Sequence, residues 1–86
     1  LSSAASDVYK RQVGSSASDC DCSIDNGFIS KRQLTVINED GVYYAIDNGS
    51  TNGTTLNGNK MEPGMRYQLK DDDRLILANE IVDFKM

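Results

Sequence analysis

Residues 47–58, with the sequence DNGSTNGTTLNG, contain three Asn-Gly pairs and four hydroxyl side chains. Asn tolerates the backbone conformation with positive φ, and Gly adopts it without strain because it has no Cβ. Each pair therefore predicts a sharp turn that leaves backbone N–H groups and short polar side chains pointing outward. A loop of this kind suits an anionic or peptide-backbone ligand, although ordinary hairpin connections with solvated Ser and Thr have the same composition.

Short runs rich in β-branched and aromatic residues lie on both sides of this loop. QLTVIN (33–38) alternates, with Leu34 and Val36 on one face, and the turn signal EDG (39–41) joins it to VYYAID (42–47). A second hairpin is predicted around Asn57-Gly58, and RYQLK and RLILAN flank the acidic turn at 71–73. No window of eleven or more residues has a helical period, so the sequence predicts an all-β fold, an antiparallel sandwich of short strands.

Composition narrows the possible functions. The chain has 86 residues, a net charge of −4 and no His. This length allows one small domain, and the negative charge argues against nucleic acid or a membrane surface as an electrostatic partner. Without His, the commonest general base near neutral pH is missing, and no Ser has a base partner that the sequence identifies. We therefore predict no catalytic residues and no cofactor.

The segment DCDCSIDNG (19–27) contains both Cys residues and three Asp residues. Cys20 and Cys22 are too close in sequence for an unstrained disulfide, so a pair of small, buried apolar residues in a reducing compartment is expected. The alternating Asp residues resemble the start of a calcium loop. However, Ile24 stands where such a loop needs Gly, and Ser30 where it needs Glu. No metal ligands are predicted.

The first twelve residues have no apolar periodicity. Residues 2–12, SSAASDVYKRQ, look like an in-frame translation of a transposon-type sequencing adapter. We therefore expect a non-native tail at 1–12, loosely placed, and a partial domain at 13–86 from a metagenomic fragment whose own first strand is missing. A strand lost from the start of a sandwich would leave an open sheet edge.

The runs GFISKRQLTV, DGVYYAIDNGSTNGTTLNG and YQLKDDDRLILA together resemble a forkhead-associated (FHA) domain, a β-sandwich that reads phosphothreonine. The family's Ser-x-Asn-Gly-Thr run stands here at residues 50–54, followed by Asn57-Gly58. The resemblance covers nearly all of residues 13–86. It implies an interaction module in the cytoplasm, bacterial in origin, that is part of a larger chain and is not an enzyme. Its partner would be a protein or peptide containing phosphothreonine.

The resemblance also assigns roles to individual residues. Ser30 matches the Ser whose hydroxyl bonds a phosphate oxygen, and Lys31 matches a polar or basic position that also reaches the phosphate. Thr51 and Asn52 match the loop pair that holds the backbone of the bound peptide, Asn52 through an amide that both donates and accepts. Seven further positions match the family's structural motif: Gly14, Gln33, Ser50, Gly53, Thr54, Asn57 and Gly58.

Two positions depart from the family pattern. Ser15 stands where an Arg that grips the phosphate is expected, and Gln33 stands where a supporting His is expected. A neutral Ser cannot replace a bidentate guanidinium, whose loss costs about 1.5–3 kcal/mol. Besides an enzyme or a metal-binding protein, two alternatives therefore remain open. One is a phosphothreonine reader with a weakened or rebuilt pocket. The other is a degenerate module that binds an unphosphorylated partner or serves as an intramolecular structural domain.

Overall fold

The computed structural model describes residues 9–85, for Tyr9 the backbone only. These residues form nine strands and no helix. The strands are β1 Tyr9–Gly14, β2 Cys22–Ser23, β3 Leu34–Glu39, β4 Val42–Asp47, β5 Thr54–Leu56, β6 Asn59–Lys60, β7 Tyr67–Leu69, β8 Arg74–Leu77 and β9 Glu80–Asp83. The described part of the chain contains no helix that is long and apolar enough to cross a membrane.

The strands form two sheets. The order is β2-β1-β3-β4-β7 in the five-stranded sheet and β6-β5-β8-β9 in the four-stranded sheet. All neighbours are antiparallel except β1 and β2, which run parallel. The expected antiparallel sandwich is thus confirmed in its fold class. The acidic turn at 71–73 connects β7 in one sheet with β8 in the other.

The core lies between the sheets and follows from side-chain alternation along the strands. Leu34 and Val36 of β3 are both buried in it, as predicted. On β4 burial alternates along VYYAID, so Tyr43, Ala45 and Asp47 point inward. The buried apolar residues of this cluster are Val13, Ile29, Leu34, Val36, Tyr43, Ala45, Met61, Leu69, Leu75, Leu77 and Phe84.

The Gly residues of the predicted turns at 40–41 and 47–58 have positive φ, but the residue before Gly has it in only two of these turns. Asp40-Gly41 and Asn57-Gly58 each have two residues with positive φ, 54° and 84° in the first and 49° and 85° in the second. This geometry matches two-residue hairpins, and both predicted hairpins are confirmed. In the other two Asn-Gly pairs only Gly49 and Gly53 have positive φ, because residues 48–53 form an open loop between the sheets.

The prediction that residues 2–12 are loosely placed is wrong for their described part. Residues 9–12 belong to β1 and pair with β3. The side chain of Gln12 also forms hydrogen bonds. Its side-chain oxygen accepts hydrogen bonds from Thr35 Oγ1 at 3.1 Å and Asn48 Nδ2 at 3.2 Å. Strand pairing uses backbone groups, so an extended segment of any composition can fill the edge of β3. Residues 1–8 lie outside the described part of the chain, and the adapter origin stays a prediction.

Candidate functional site

Three loops meet at one end of the sandwich: residues 15–21 after β1, residues 24–33 before β3, and residues 48–53 after β4. Ser30 lies where they meet. Its backbone carbonyl accepts the Ser15 N–H at 3.0 Å, and its hydroxyl oxygen accepts the Thr51 N–H at 3.0 Å. The amide of Asn52 donates to the Phe28 carbonyl at 2.7 Å and adds a second link between the last two loops. The fold thus brings together Ser15, Ser30, Thr51 and Asn52. Their roles in binding stay predictions.

Gly14 lets β1 approach the Ser30 segment closely. A Cβ at this position would lie 2.2 Å from the Lys31 carbonyl oxygen and 2.8 Å from the Ser30 carbonyl oxygen. Real Cβ atoms are not found this close to backbone oxygen, so any larger residue would push the two segments apart. This close approach allows the Ser15 N–H to reach Ser30.

Lys31 has an anchored backbone and an exposed side chain. Its carbonyl accepts hydrogen bonds from the Cys20 thiol at 2.9 Å and the Ser16 N–H at 3.4 Å. Burial raises the pKa of the Cys20 thiol above its usual value, which keeps the sulfur in the protonated form that donates. Cys20 and Cys22 are free thiols and only partly buried, and Cys22 packs against the core.

Gln33 is completely buried and bridges two of the loops. Its side-chain oxygen accepts the Ser30 N–H at 3.0 Å. Its side-chain nitrogen donates to the Gly53 carbonyl at 2.7 Å and to the Thr54 hydroxyl at 3.0 Å. An amide can accept at one atom and donate twice at the other, which is what this position requires. Gln33 therefore fixes the Ser30 segment to the start of β5.

Asp47 is a central residue of the site that sequence reasoning did not single out. Its side chain is 1 % exposed and accepts hydrogen bonds from four donors. These are the Ser50 hydroxyl at 2.5 Å, the Thr54 hydroxyl at 2.7 Å, and the N–H groups of Gly49 and Ser50 at 3.1 Å. A side-chain period of two places Asp47 on the same face of β4 as Tyr43 and Ala45, but the sequence VYYAID does not show which face is buried. Asp47 shapes the turn that presents Thr51 and Asn52.

The loop residues Thr51 and Asn52 are exposed. Thr51 borders a shallow pocket of about 240 Å³, whose lining also includes Lys60 and Glu62. Among residues 9–85, no group donates a hydrogen bond to the side-chain oxygen of Asn52. The Asn52 amide can therefore still accept a hydrogen bond from a ligand.

Lys31 and Arg32 carry the two positive charges that directly follow Ser30 in the sequence, whereas Ser15 supplies none. Arg32 forms an ion pair with Asp19, with 3.7 Å between Nη2 and Oδ1. Within the described residues, no group of three or more His, Cys, Asp and Glu side chains is placed to hold a metal ion.

Asn57 and Gly58 do not join this site. Asn57 donates to the Asp73 carboxylate at 3.0 Å and accepts the Arg74 N–H at 2.9 Å, so it ties the β5–β6 turn to the acidic turn before β8. Both residues thus lie in a turn away from the Ser30 segment, and their role in the family's motif stays a prediction.

The family model described as "FHA domain" matches residues 11–78, which is well over half of the chain. The chain therefore belongs to the FHA domain family, whose members are interaction modules that generally bind phosphothreonine peptides. The matched range includes Arg11 and Gln12, two residues of the predicted tail.

Solved structures and one curated protein are similar to the chain. An FHA domain from a study of phosphothreonine-dependent interactions is 28% identical, with a TM-score of 0.79, and the match covers 90% of this chain and 76% of that one. The N-terminal FHA domain of Rad53p from S. cerevisiae, solved with a phosphothreonine peptide, is 28% identical, with a TM-score of 0.72. The match covers 85% of this chain and 59% of that one. Formin-J of Dictyostelium discoideum is 51% identical over 35 residues, which are 41% of this chain and 1% of that protein. The chain thus spans a very small part of this curated relative.

Proposed function

We propose that this chain is a phosphopeptide-binding module that recognises phosphothreonine in a partner protein through Ser30, Lys31 and the Thr51–Asn52 loop. In this proposal the phosphate lies against Ser30 and Lys31, and the peptide backbone runs past the loop. The partner is a protein or peptide, and the chain performs no reaction on it.

The hydrogen bond from the Thr51 N–H to the Ser30 hydroxyl oxygen is the observation that carries the proposal. A hydroxyl has one proton to donate, and here its oxygen already accepts from the neighbouring loop. The Ser30 O–H donates to no group among the described residues, so its proton is available to an acceptor such as a phosphate oxygen. A hydrogen bond to a dianionic phosphate is charge-assisted and stronger than one to a neutral group.

Lys31 and Asn52 supply the other two parts of such a site. The Lys31 carbonyl accepts hydrogen bonds from Cys20 and Ser16, and these bonds fix the backbone from which the Lys31 side chain extends. This residue directly follows Ser30. Asn52 is exposed, and its side-chain oxygen, which accepts from no group among the described residues, can accept a backbone N–H from an extended peptide. Recognition of a phosphorylated motif by a charged group and a peptide-holding loop is a common mode of peptide binding.

Ser15 supports a second candidate function, a module that binds an unphosphorylated partner or acts as an intramolecular structural domain. Its side chain carries no charge, and its N–H is already bonded to Ser30. The site therefore lacks a cation where the family pattern has one.

A binding titration on the full 86-residue chain separates the two candidates. A degenerate phosphothreonine peptide library is compared with its unphosphorylated counterpart, by fluorescence anisotropy. A preference of tenfold or more for phosphate, about 1.4 kcal/mol, is expected for a reader. Equal or absent binding by a folded sample would instead support the second candidate.

Lys31→Ala tests the assignment of residues, and Lys70→Ala serves as its control. Lys70 is also exposed, but it follows β7 and lies outside the three loops. The phosphate preference should collapse in Lys31→Ala and persist in Lys70→Ala. A wild-type preference that survives Lys31→Ala unchanged would contradict the proposed role of Lys31.

A further inference from the structure

Arg32 and Asp19 form an ion pair at the rim of the proposed phosphate site. Arg32 follows Ser30 by two residues, and its guanidinium lies 3.7 Å from the Asp19 carboxylate. The side chains are 65% and 41% exposed, so water competes for both partners. Pairs of this kind contribute little to stability, and their partners exchange readily.

Asp19 is fixed in place by the loop that also anchors Ser30 and Lys31. Its carboxylate accepts the Ser16 hydroxyl at 3.1 Å, and its N–H donates to the Ser16 carbonyl at 3.2 Å. The Ser16 N–H in turn reaches the Lys31 carbonyl at 3.4 Å. The guanidinium of Arg32 is therefore held over the 15–21 loop, the loop that contains the neutral Ser15.

The charges at this rim do not suit a dianion while the pair is intact. Lys31 contributes one positive charge, whereas the charge of Arg32 is offset by Asp19. A phosphate on threonine carries a charge close to −2 and three acceptor oxygens, which a guanidinium binds in a bidentate manner. A carboxylate of Asp or Glu in a peptide carries a single charge, no more than Asp19 itself.

We propose that phosphate takes the Arg32 guanidinium away from Asp19, so that Arg32 supplies the second cation of the site and Asp19 sets its selectivity. A phosphothreonine outcompetes Asp19 for the guanidinium, but a peptide carboxylate does not. Asp19 is thus a positioning residue that acts through Arg32 to reject acidic peptides. This inference rests on the proposed function and assigns it a further binding residue.

The test measures dissociation constants for the full chain with the degenerate phosphothreonine library and with a matched library that has Glu in place of phosphothreonine. Arg32→Gln is expected to weaken binding of the phosphothreonine library about fivefold to tenfold, the loss of a charge-assisted contact. Asp19→Asn is expected to strengthen binding of the Glu library more than that of the phosphothreonine library, so the ratio between them falls about threefold. In the Arg32→Gln background, Asp19→Asn should have no further effect.

The exposed pair Arg66 and Glu39 provides the matched control. Its atoms are 3.0 Å apart and its side chains are 50% and 44% exposed, but Glu39 lies at the end of β3 that is remote from Gln33. Arg66→Gln and Glu39→Gln should leave both dissociation constants unchanged. A two-dimensional NMR spectrum of each variant confirms that it is folded.

A second measurement needs no substitution. The Arg32 Nε–Hε signal of the wild-type chain should move when O-phosphothreonine is added, while the Arg66 signal stays in place. Unchanged binding in Arg32→Gln, an Asp19→Asn effect that persists without Arg32, or a stationary Arg32 signal at saturation would overturn the inference. If Lys31→Ala still abolishes a clear phosphate preference, the proposed function survives that result. A wild-type chain with no phosphate preference would overturn both.

Discussion

Two neighbouring regions of the site differ in what their polar groups do. Gln33, Asp47 and Thr54, here called the buried framework, are 0%, 1% and 1% exposed, and their side chains bond to other groups of the protein. Asp19, Lys31 and Arg32, here called the charged rim, are exposed to solvent. Burial makes an unmade hydrogen bond costly, whereas exposure lets water replace a lost partner. Substitutions in the framework should therefore act on stability, and substitutions in the rim should act on binding.

Asp47→Ala is expected to have the largest effect, because it removes the acceptor of four hydrogen bonds in a buried position. The free energy of unfolding should fall by about 3–5 kcal/mol, measured by urea denaturation. Asp25 is an exposed carboxylate without a hydrogen-bond partner in the described part of the chain, and Asp25→Ala should change stability by less than about 0.5 kcal/mol. Similar losses for both variants would contradict the stabilising role assigned to the buried framework.

Gln33→Leu comes next, since it leaves the Ser30 N–H without its acceptor and the Thr54 hydroxyl without its donor. We expect a loss of about 2–4 kcal/mol in the free energy of unfolding. Gln33→His keeps one donor and one acceptor on a ring of similar reach and should lose less. Thermal denaturation of the two variants side by side provides the measurement. Equal loss would mean that Gln33 acts through volume and not through its hydrogen bonds.

Gly14→Ala sharpens the comparison, because Gly14 is buried and yet lies against the backbone of Lys31, a residue of the charged rim. The added Cβ would collide with the Lys31 and Ser30 carbonyl oxygens, and we expect a loss of about 1–3 kcal/mol as β1 shifts. The Ser15–Ser30 hydrogen bond should weaken with it, which an NMR amide-exchange measurement would detect. Gly27→Ala is the control, since a Cβ there meets nothing within 4 Å. A destabilised Gly27→Ala together with an unchanged Gly14→Ala would contradict the close-approach explanation.

The smallest effect is expected from the surface pair Arg74 and Asp83, remote from the site. A hydrogen bond from the Arg74 guanidinium lowers the pKa of Asp83 below its ordinary value of 3.8. A lowered pKa means that the pair stabilises the fold above pH 3.8 and that this contribution is lost as the pH falls through the folded-state pKa. The stability difference between the wild type and Asp83→Asn should therefore be small near neutral pH and vanish in acid, as measured by urea denaturation. A difference that grows with acidification would contradict this assignment.

Much of the fold could be predicted because turns and strands depend on local rules. The Asp40-Gly41 and Asn57-Gly58 turns follow from residues that accept positive φ, and the shared core face of Leu34 and Val36 in β3 follows from a side-chain period of two. Local rules failed for residues 9–12, which look like a polar tail but pair with β3. Backbone pairing depends on the presence of an open neighbouring edge, which is not visible in the paired segment itself.

The candidate site was predictable to a different degree in its two regions. The sequence by itself determined the Asn-Gly turns, the all-β pattern and the family motif that directs attention to Ser30, Lys31 and Asn52. Only the tertiary structure decided that Asp47 accepts from Ser50 and Thr54, that Gln33 spans from Ser30 to Gly53, and that Arg32 meets Asp19. A turn is decided by the φ and ψ angles of a few adjacent residues, which their own side chains restrict. A hydrogen bond between residues 20 apart exists only after two sheets have packed and excluded water from the space between them.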